Sequence, residues 1–184
     1  MKALCLVAHP DDCVIFGYSF MHHYSQLDWT VCYLTSTNDV FGINRSRELQ
    51  KFWIRRNINT LFLGFEDCWR DQESGELMTW TRSEASVACW AMAQEFDLIL
   101  THDENGDYGH IHHRLVYDSV KQHANIVTFA QPGSGTDVYT IPNGAYSIDE
   151  LPMHQQVIES FHQPKHANSY SVPMHVKTLL EEIA

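Results

Sequence analysis

The chain is short of positive charge. Its 184 residues include 12 Lys and Arg against 23 Asp and Glu, which gives a formal net charge of −11 at pH 7. No run of basic residues offsets this excess at any point in the sequence. A general binder of nucleic acids or of anionic membranes needs a cationic face that neutralises phosphates. We therefore expect neither of these as a partner.

Long apolar runs are missing as well. No stretch approaches the roughly 18 consecutive apolar residues that a transmembrane helix requires. The apolar segment near the start, Ala3 to Ala8, is too short for the core of a signal peptide and is followed at once by His9-Pro10-Asp11-Asp12. The sequence therefore predicts a cytoplasmic protein without a membrane span.

Paired cysteines are also lacking. The cysteines are odd in number, and none belongs to a CxxC pair, which is typical of neither a disulfide framework nor a structural zinc site. We expect most of them to be small, buried hydrophobic residues. The five are Cys5, Cys13, Cys32, Cys68 and Cys89.

What the sequence does have is an alternation of strand and helix patterns. Ala3 to Ala8 is an unbroken apolar run, the pattern of a strand buried on both faces of a parallel sheet. The other predicted strands are Trp29–Thr35, Thr60–Gly64, Phe96–Thr101, Ile126–Phe129 and Val138–Thr140. Helices are predicted at about Val14–Gln26, Arg45–Asn57, Ser83–Glu95 and His113–Gln122, with Asn44 and Ser83 as N-caps of the second and third.

This order of elements predicts an α/β fold: a doubly wound (Rossmann-like), mostly parallel sheet flanked by helices. The length favours a single domain over residues 1–184. We expect its core within about residues 1–130 and a loop-rich C-terminal part over 131–184, where proline and glycine recur.

Two polar segments follow predicted strands, at the edge where doubly wound sheets bind ligands. A turn at His9-Pro10-Asp11-Asp12 could direct the His9 imidazole and the Asp12 carboxylate at one point. A third ligand from the segment His102 to His113 would complete a His/Asp/His site with open positions for a catalytic divalent ion. The alternative is that His9 and Asp12 only cap the following helix.

These segments carry a family resemblance. Ala8-His9-Pro10-Asp11-Asp12, with Gly106-Asp107-Tyr108-Gly109-His110-Ile111-His112-His113 about a hundred residues later, resembles the PIG-L/LmbE-like family of metal-dependent N-acetylglucosaminyl de-N-acetylases. Between them, Arg45-Ser46-Arg47-Glu48 matches the R-x-x-E of that family, and Phe62-Leu63-Gly64 matches its strand that ends in leucine-glycine. Trp69-Arg70-Asp71 is similar to a motif of the mycothiol-type deacetylases. The resemblance covers about residues 3 to 130.

The resemblance implies a metal-dependent amidohydrolase that removes an acetyl, or another acyl, group from an N-acetylated amino sugar or a conjugate of one. It implies that His9, Asp12 and His113 bind Zn²⁺; Fe²⁺ is the alternative, because imidazole and carboxylate accept both ions. Asp11, which the metal does not use, is implied as the general base for an attacking water.

Further roles are implied by position. His110 and Tyr108 match residues that stabilise the developing oxyanion. Arg45 and Asp71 match positions that contact a sugar substrate, although an ordinary surface ion pair or helix cap is the alternative for both. We expect His102 to be a solvated loop residue rather than a partner of a metal ligand.

The sequence departs from the family pattern at several points. The family's HxDH is His110-Ile111-His112-His113 here, and the missing carboxylate is expected to lower the pKa of His110. Cys13 replaces a usual acidic residue, and Gly17-Tyr18 a usual glycine pair. These departures support a second hypothesis, a binding protein that has lost catalysis. A non-haem iron enzyme is a third, because two histidines and one carboxylate also form that site.

Overall fold

The computed structural model describes residues 1–36, 40–67, 80–130, 138–141, 150–156 and 169–183. The chain begins with β1 (Lys2–Val7), a π-helical turn (Cys13–Gly17), α1 (Tyr18–His23), β2 (Asp28–Thr35), α2 (Val40–Ile54) and β3 (Asn59–Phe65). It continues with α3 (Arg82–Ala93), β4 (Leu98–Thr101), α4 (Ile111–Val120), β5 (Ile126–Phe129), β6 (Val138–Thr140), β7 (Ser169–Ser171) and α5 (Met174–Ile183).

The described strands form one sheet in the order β3-β2-β1-β4-β5-β7-β6. The first five are parallel, and β7 is antiparallel to both β5 and β6. This arrangement confirms the predicted mostly parallel α/β fold. The chain runs outward from β1 to β3 and then crosses to β4 on the other side of β1. The carboxyl ends of β1 and β4 therefore flank the switch point, where such sheets bind ligands.

Both faces of the sheet are covered, which explains the unbroken apolar run of β1. Ala3, Cys5 and Val7 pack into a core with residues of α1, α2 and α5. Leu4 and Leu6 point to the opposite face and pack into a core with residues of α3 and α4. Because side chains alternate along a strand, a central strand needs apolar residues at every position.

Both of the predicted N-caps, Asn44 and Ser83, are wrong. Thr81, not Ser83, caps α3: the Thr81 hydroxyl accepts a hydrogen bond from the Glu84 N–H at 3.2 Å, and the Glu84 carboxylate accepts one from the Thr81 N–H at 2.8 Å. This reciprocal pair is a capping box. Asn44 is not a cap either, because α2 begins at Val40 and Asn44 lies within it.

The C-terminal part has more regular structure than its sequence predicts. Besides the expected β6, it contributes β7 and α5, and Val176 and Leu180 of α5 are buried in the core. Tyr170 of β7 is also fully buried. No helix in the described part of the chain has both the length and the apolar character needed to cross a membrane.

Candidate metal centre

Three ligand atoms meet at the switch point. Nδ1 of His9 lies 3.2 Å from Oδ2 of Asp12 and 3.1 Å from Nε2 of His113, and the latter two atoms are 3.3 Å apart. A tetrahedral zinc ion with bonds of about 2.0–2.1 Å separates its ligand atoms by about 3.3 Å. The spacing and chemistry of these atoms therefore fit such an ion.

Hydrogen bonds from the ends of both neighbouring strands hold the end of β1, and they position the turn that carries His9. The Thr35 hydroxyl at the end of β2 donates to the Ala8 carbonyl at 2.9 Å. The Ala8 N–H donates to Nε2 of His102, just after β4, also at 2.9 Å. The His9 N–H then donates to Oδ2 of Asp12 at 2.7 Å, so the turn itself orients the carboxylate.

Asp107 orients the two histidines beneath the centre. Its Oδ2 accepts a hydrogen bond from Nδ1 of His113 at 2.7 Å and also from Nδ1 of His102. In the neutral ring, with its one proton on Nδ1, His113 directs the lone pair of Nε2 towards His9 and Asp12. A carboxylate behind a ligating histidine fixes the tautomer in this way in many metal sites.

The role of Asp107 is one that the sequence analysis missed, and its expectation for His102 was wrong. His102 has no exposed surface and bridges the Ala8 N–H to Asp107. Burial lowers the pKa of His102, so it is a neutral imidazole. Burial raises the pKa of Asp107, but His102 and His113 outweigh it and lower the value to about 2. One signal was available, an acidic residue six positions before a predicted histidine ligand.

The carboxylates make the centre attractive to a cation. Burial lowers the pKa of His9, but the charges of Asp12 and Asp67 outweigh burial and raise it to about 10. Burial is likewise outweighed at His113, where Asp12 and Asp107 raise the pKa to about 9. Burial acts to raise the pKa of Asp12, but His113 and His9 hold it well below its usual range. The buried carboxylates therefore stabilise positive charge at this position.

Asp11 lies beside this centre and pairs with Arg45. Nη2 of Arg45 donates to Oδ2 of Asp11 at 2.9 Å. Burial and the charge of Asp12 raise the pKa of Asp11, which Arg45 partly opposes. Glu48, the last residue of the R-x-x-E motif, accepts hydrogen bonds from Nδ1 of His154 at 2.7 Å and from the Met153 N–H at 3.1 Å. The motif therefore links α2 to both the centre and the segment 150–156.

His110 and Tyr108, from the loop before α4, lie next to the centre. The His110 ring lies 4.6 Å from that of His9, and the Tyr108 ring 5.2 Å from that of His113, between centroids. Nδ1 of His110 accepts from the His112 N–H at 3.3 Å, so neutral His110 carries its proton on Nε2. Burial, with the positive charges of His9 and His113, lowers the pKa of His110 to about 4. Burial and nearby carboxylates raise the pKa of Tyr108, which keeps its phenol proton.

The remaining sequence candidates have mixed outcomes. Asp71 and Trp69 lie outside the described residues. Cys13 is buried, with its Sγ 2.9 Å from the Tyr33 hydroxyl, which agrees with a packing role. His112 is buried, and its Nδ1 lies 3.1 Å from Nε2 of His9, on the side of that ring away from Asp12 and His113.

The fold and the centre define a class, the α/β proteins that bind ligands at the switch point of a doubly wound sheet. A comparison with family models is more specific. The model of the PIG-L family, described as GlcNAc-PI de-N-acetylase, matches residues 4–124. The chain belongs to this family and is a hydrolase that acts on amide bonds.

Solved structures share the fold at low sequence identity. A deacetylase of teicoplanin biosynthesis, in complex with teicoplanin, is 10% identical with a TM-score of 0.60, and the match covers 94% of this chain and 98% of that chain. The zinc-inhibited form of the teicoplanin deacetylase Orf2 is 12% identical with a TM-score of 0.55, covering 88% and 84%. The conserved protein TT1542 from Thermus thermophilus is 12% identical with a TM-score of 0.59, covering 95% of both chains. A comparison with curated proteins finds no match.

Proposed function

We propose that this protein is a zinc-dependent amidohydrolase that removes an acetyl group from an N-acetylated amino sugar or a conjugate of one. The observation that carries the proposal is the compact group of Nδ1 of His9, Oδ2 of Asp12 and Nε2 of His113, with Asp11 beside it. The family match supports de-N-acetylation. A neighbour in fold is a deacetylase in complex with teicoplanin, which is consistent with a conjugated substrate.

The proposed ligands of the ion are His9, Asp12 and His113. When bound, a divalent ion supplies Lewis acidity, which polarises an amide carbonyl and lowers the pKa of a water molecule. Zn²⁺ suits two imidazoles and one carboxylate, and Fe²⁺ is the alternative that the same ligands accept. Asp107 serves the reaction indirectly, because it holds the His113 ring in the ligating tautomer.

Asp11 is the proposed general base. Arg45 holds its Oδ2, so Oδ1 is the oxygen that takes a proton from the attacking water. The water oxygen bonds to the amide carbon, the C–N bond breaks, and Asp11 returns the proton to the leaving nitrogen, which gives acetate and an amine. Burial lowers the pKa of His110, which favours Asp11 over His110 as the proton donor near neutral pH.

His110 and Tyr108 are proposed to stabilise the oxyanion that develops on the amide oxygen. Each carries a donor, Nε2–H in neutral His110 and the phenol O–H in Tyr108, and the two rings lie beside those of His9 and His113. Arg45, which reaches the rim from α2, and Asp71 are proposed to contact hydroxyl or phosphate groups of the substrate.

The test is acetate release by zinc-loaded protein from N-acetylglucosamine as the free sugar, a glycoside, an inositol conjugate, a nucleotide sugar and chitobiose. We expect release from at least one compound and none from Asp11→Asn, which should still hold its metal. His113→Ala should lose the tightly bound metal and turnover together. An active His113→Ala or a metal-free Asp11→Asn would contradict the assignments. No release of acetate by metal-loaded native protein would contradict the proposed reaction and favour a binding protein.

A further inference from the structure

A second group of ligand atoms lies on the opposite side of the His9 ring. Nε2 of His9 is 3.1 Å from Nδ1 of His112 and 3.4 Å from Oδ1 of Asp67, and these two atoms are 3.9 Å apart. His110 offers another ring nitrogen, within 4.8 Å of the ligand atoms of His9 and His112. The proposed hydrolysis gives no task to His112 or Asp67.

We propose that His9, His112 and Asp67 form a second position for a transition-metal ion, with His110 at its edge. The ligand atoms of a tetrahedral ion are roughly 3.3 Å apart, and the distances from His9 to His112 and to Asp67 lie near this value. The distance between His112 and Asp67 is wider. Two imidazoles and one carboxylate suit Zn²⁺, Co²⁺, Ni²⁺ or Cu²⁺ rather than Mg²⁺ or Ca²⁺, which prefer oxygen.

The second position is more exposed to solvent than the first. The Asp67 side chain is 33% exposed, whereas those of Asp12 and His113 are 5% and 0% exposed. An ion can therefore reach Asp67 directly, and water can complete its coordination. The ring of Trp80 lies 5.4 Å from that of His112 and supports it from within the fold.

The two positions share His9, and this determines the order in which metal ions occupy them. Neutral imidazole has one nitrogen lone pair, so once Nδ1 of His9 binds the first ion, Nε2 carries the proton. A second ion at Nε2 must displace that proton into solvent and will lie close to the first positive charge. The second position therefore binds more weakly and fills only with excess metal. This step rests on the proposed first position.

Occupancy of the second position is expected to inhibit the proposed reaction. An ion there competes for His110, whose Nε2–H is the proposed donor to the amide oxygen, and it places a charge beside His9. We expect turnover to rise as the first equivalent of zinc is added to metal-free protein and to fall as the second binds.

The test counts metal equivalents in metal-free protein by equilibrium dialysis against Zn²⁺ and by the visible absorption of Co²⁺. We expect two equivalents in the native chain, with affinities at least tenfold apart. We expect one in Asp67→Asn and one in His112→Ala. Asp67→Asn is the decisive variant because its side chain is partly exposed and folding is not at risk. His22→Ala, which removes an exposed histidine, is the matched control and should keep two.

Each outcome separates the second position from the first. A single equivalent in the native chain, or two in both Asp67→Asn and His112→Ala, would overturn the second position. His113→Ala should lose the tighter equivalent and retain weaker binding at His9, His112 and Asp67. If His113→Ala instead kept the tighter equivalent, the first assignment would fail, and the ion would belong to the second group.

Discussion

At the scale of single residues, Asp107 holds the His113 ring in the orientation that the proposed ligand role requires. Its Oδ2 accepts two N–H bonds at once, from His113 and His102. In Asp107→Asn the amide oxygen could still accept both N–H bonds, but without a negative charge, and the amide NH₂ group would then face the Asp103 N–H, which donates to Oδ1 of Asp107 at 3.3 Å. We predict that this change weakens zinc binding about 10- to 100-fold. Competition with a zinc chelator measures this, and unchanged affinity would contradict it.

The matched control for that change is Asp118→Asn on the exposed side of α4. Asp118 pairs with Lys121 at 2.8 Å on the surface, and such pairs contribute little to stability. Both variants remove one negative charge from the same chain. Asp118→Asn should therefore leave zinc affinity unchanged, which separates the orienting role of Asp107 from a general effect of net charge.

His154 gives a prediction for stability as a function of pH. It is fully buried and donates from Nδ1 to Glu48 at 2.7 Å, and burial, though opposed by Glu48, lowers its pKa. A histidine with a lowered pKa in the folded state contributes stability above its unfolded pKa of about 6.5, and that stability is lost as the pH falls below this value.

We therefore predict that the free energy of unfolding of zinc-loaded native protein falls more between pH 7.5 and 5.5 than that of His154→Asn. Asn keeps a donor near the position of Nδ1 but cannot take up a proton. Urea denaturation at both pH values measures the difference, and His22→Gln, which removes an exposed histidine, should behave as the native chain does. Parallel losses in native protein and His154→Asn would refute the prediction.

The sequence predicted the site residues that belong to a recognisable motif. It missed those whose position in the site depends on backbone geometry. The resemblance indicated His9, Asp12 and His113, and the structure brings their ligand atoms together. It did not indicate Asp107, because the direction of that side chain depends on a left-handed backbone with φ of 59°. The contact between His9 and His112 requires the whole fold, since 103 positions separate the two residues in the chain.

At the scale of elements, the loop between β4 and α4 depends on Gly106. Its φ is +70°, and a Cβ there would lie 2.4 Å from the His110 carbonyl oxygen and 2.9 Å from the Arg114 side chain. Gly64 in β3 also has a positive φ, +82°, but an added Cβ would meet nothing within 4 Å. The two glycines share the conformational requirement and differ only in the space around them.

We predict that Gly106→Ala displaces the loop and lowers zinc affinity. The added Cβ would clash with the His110 carbonyl, and a backbone group cannot move aside as a flexible side chain does. Gly64→Ala should cost about 1 kcal/mol of stability from its left-handed backbone alone and leave zinc affinity intact. Denaturation and chelator competition on both variants check this. Equal effects on zinc affinity would show that the crowding at Gly106 has no role in the centre.

Strands were predicted correctly where burial produces an apolar run in the sequence. A strand was missed where only its pairing with neighbouring strands defines it. The apolar runs gave β2, β4 and β5 to within two residues of their observed bounds. β7 has the sequence Ser-Tyr-Ser, which contains no apolar alternation, and it is a strand because β5 and β6 both pair with it. The start of α3 was misplaced because Ser83 and Thr81 are both good caps, and only Thr81 has a glutamate three residues later.

At the scale of the whole molecule, the C-terminal part supports the centre from a distance. The family model ends at residue 124, yet β7 lies beyond it and packs against the segment that follows Asp12. The Tyr170 hydroxyl donates to the Phe16 carbonyl at 2.8 Å and accepts from the Phe20 N–H at 3.2 Å. Phe16 belongs to the π-helical turn and Phe20 to α1, so one side chain holds the junction between them.

Tyr170→Phe removes the hydrogen bonds of this hydroxyl while keeping the buried ring, and we predict a loss of about 1–3 kcal/mol in the free energy of unfolding. The π-helical turn begins directly after Asp12, so loosening it should also weaken zinc binding, though less than Asp107→Asn does, because the ligands keep their own hydrogen bonds. Urea denaturation and chelator competition measure the two effects, with Tyr117→Phe on α4 as the control. If Tyr170→Phe lowered stability without any change in zinc affinity, the C-terminal part would stabilise the fold alone, and the geometry of the centre would depend only on residues within the family match.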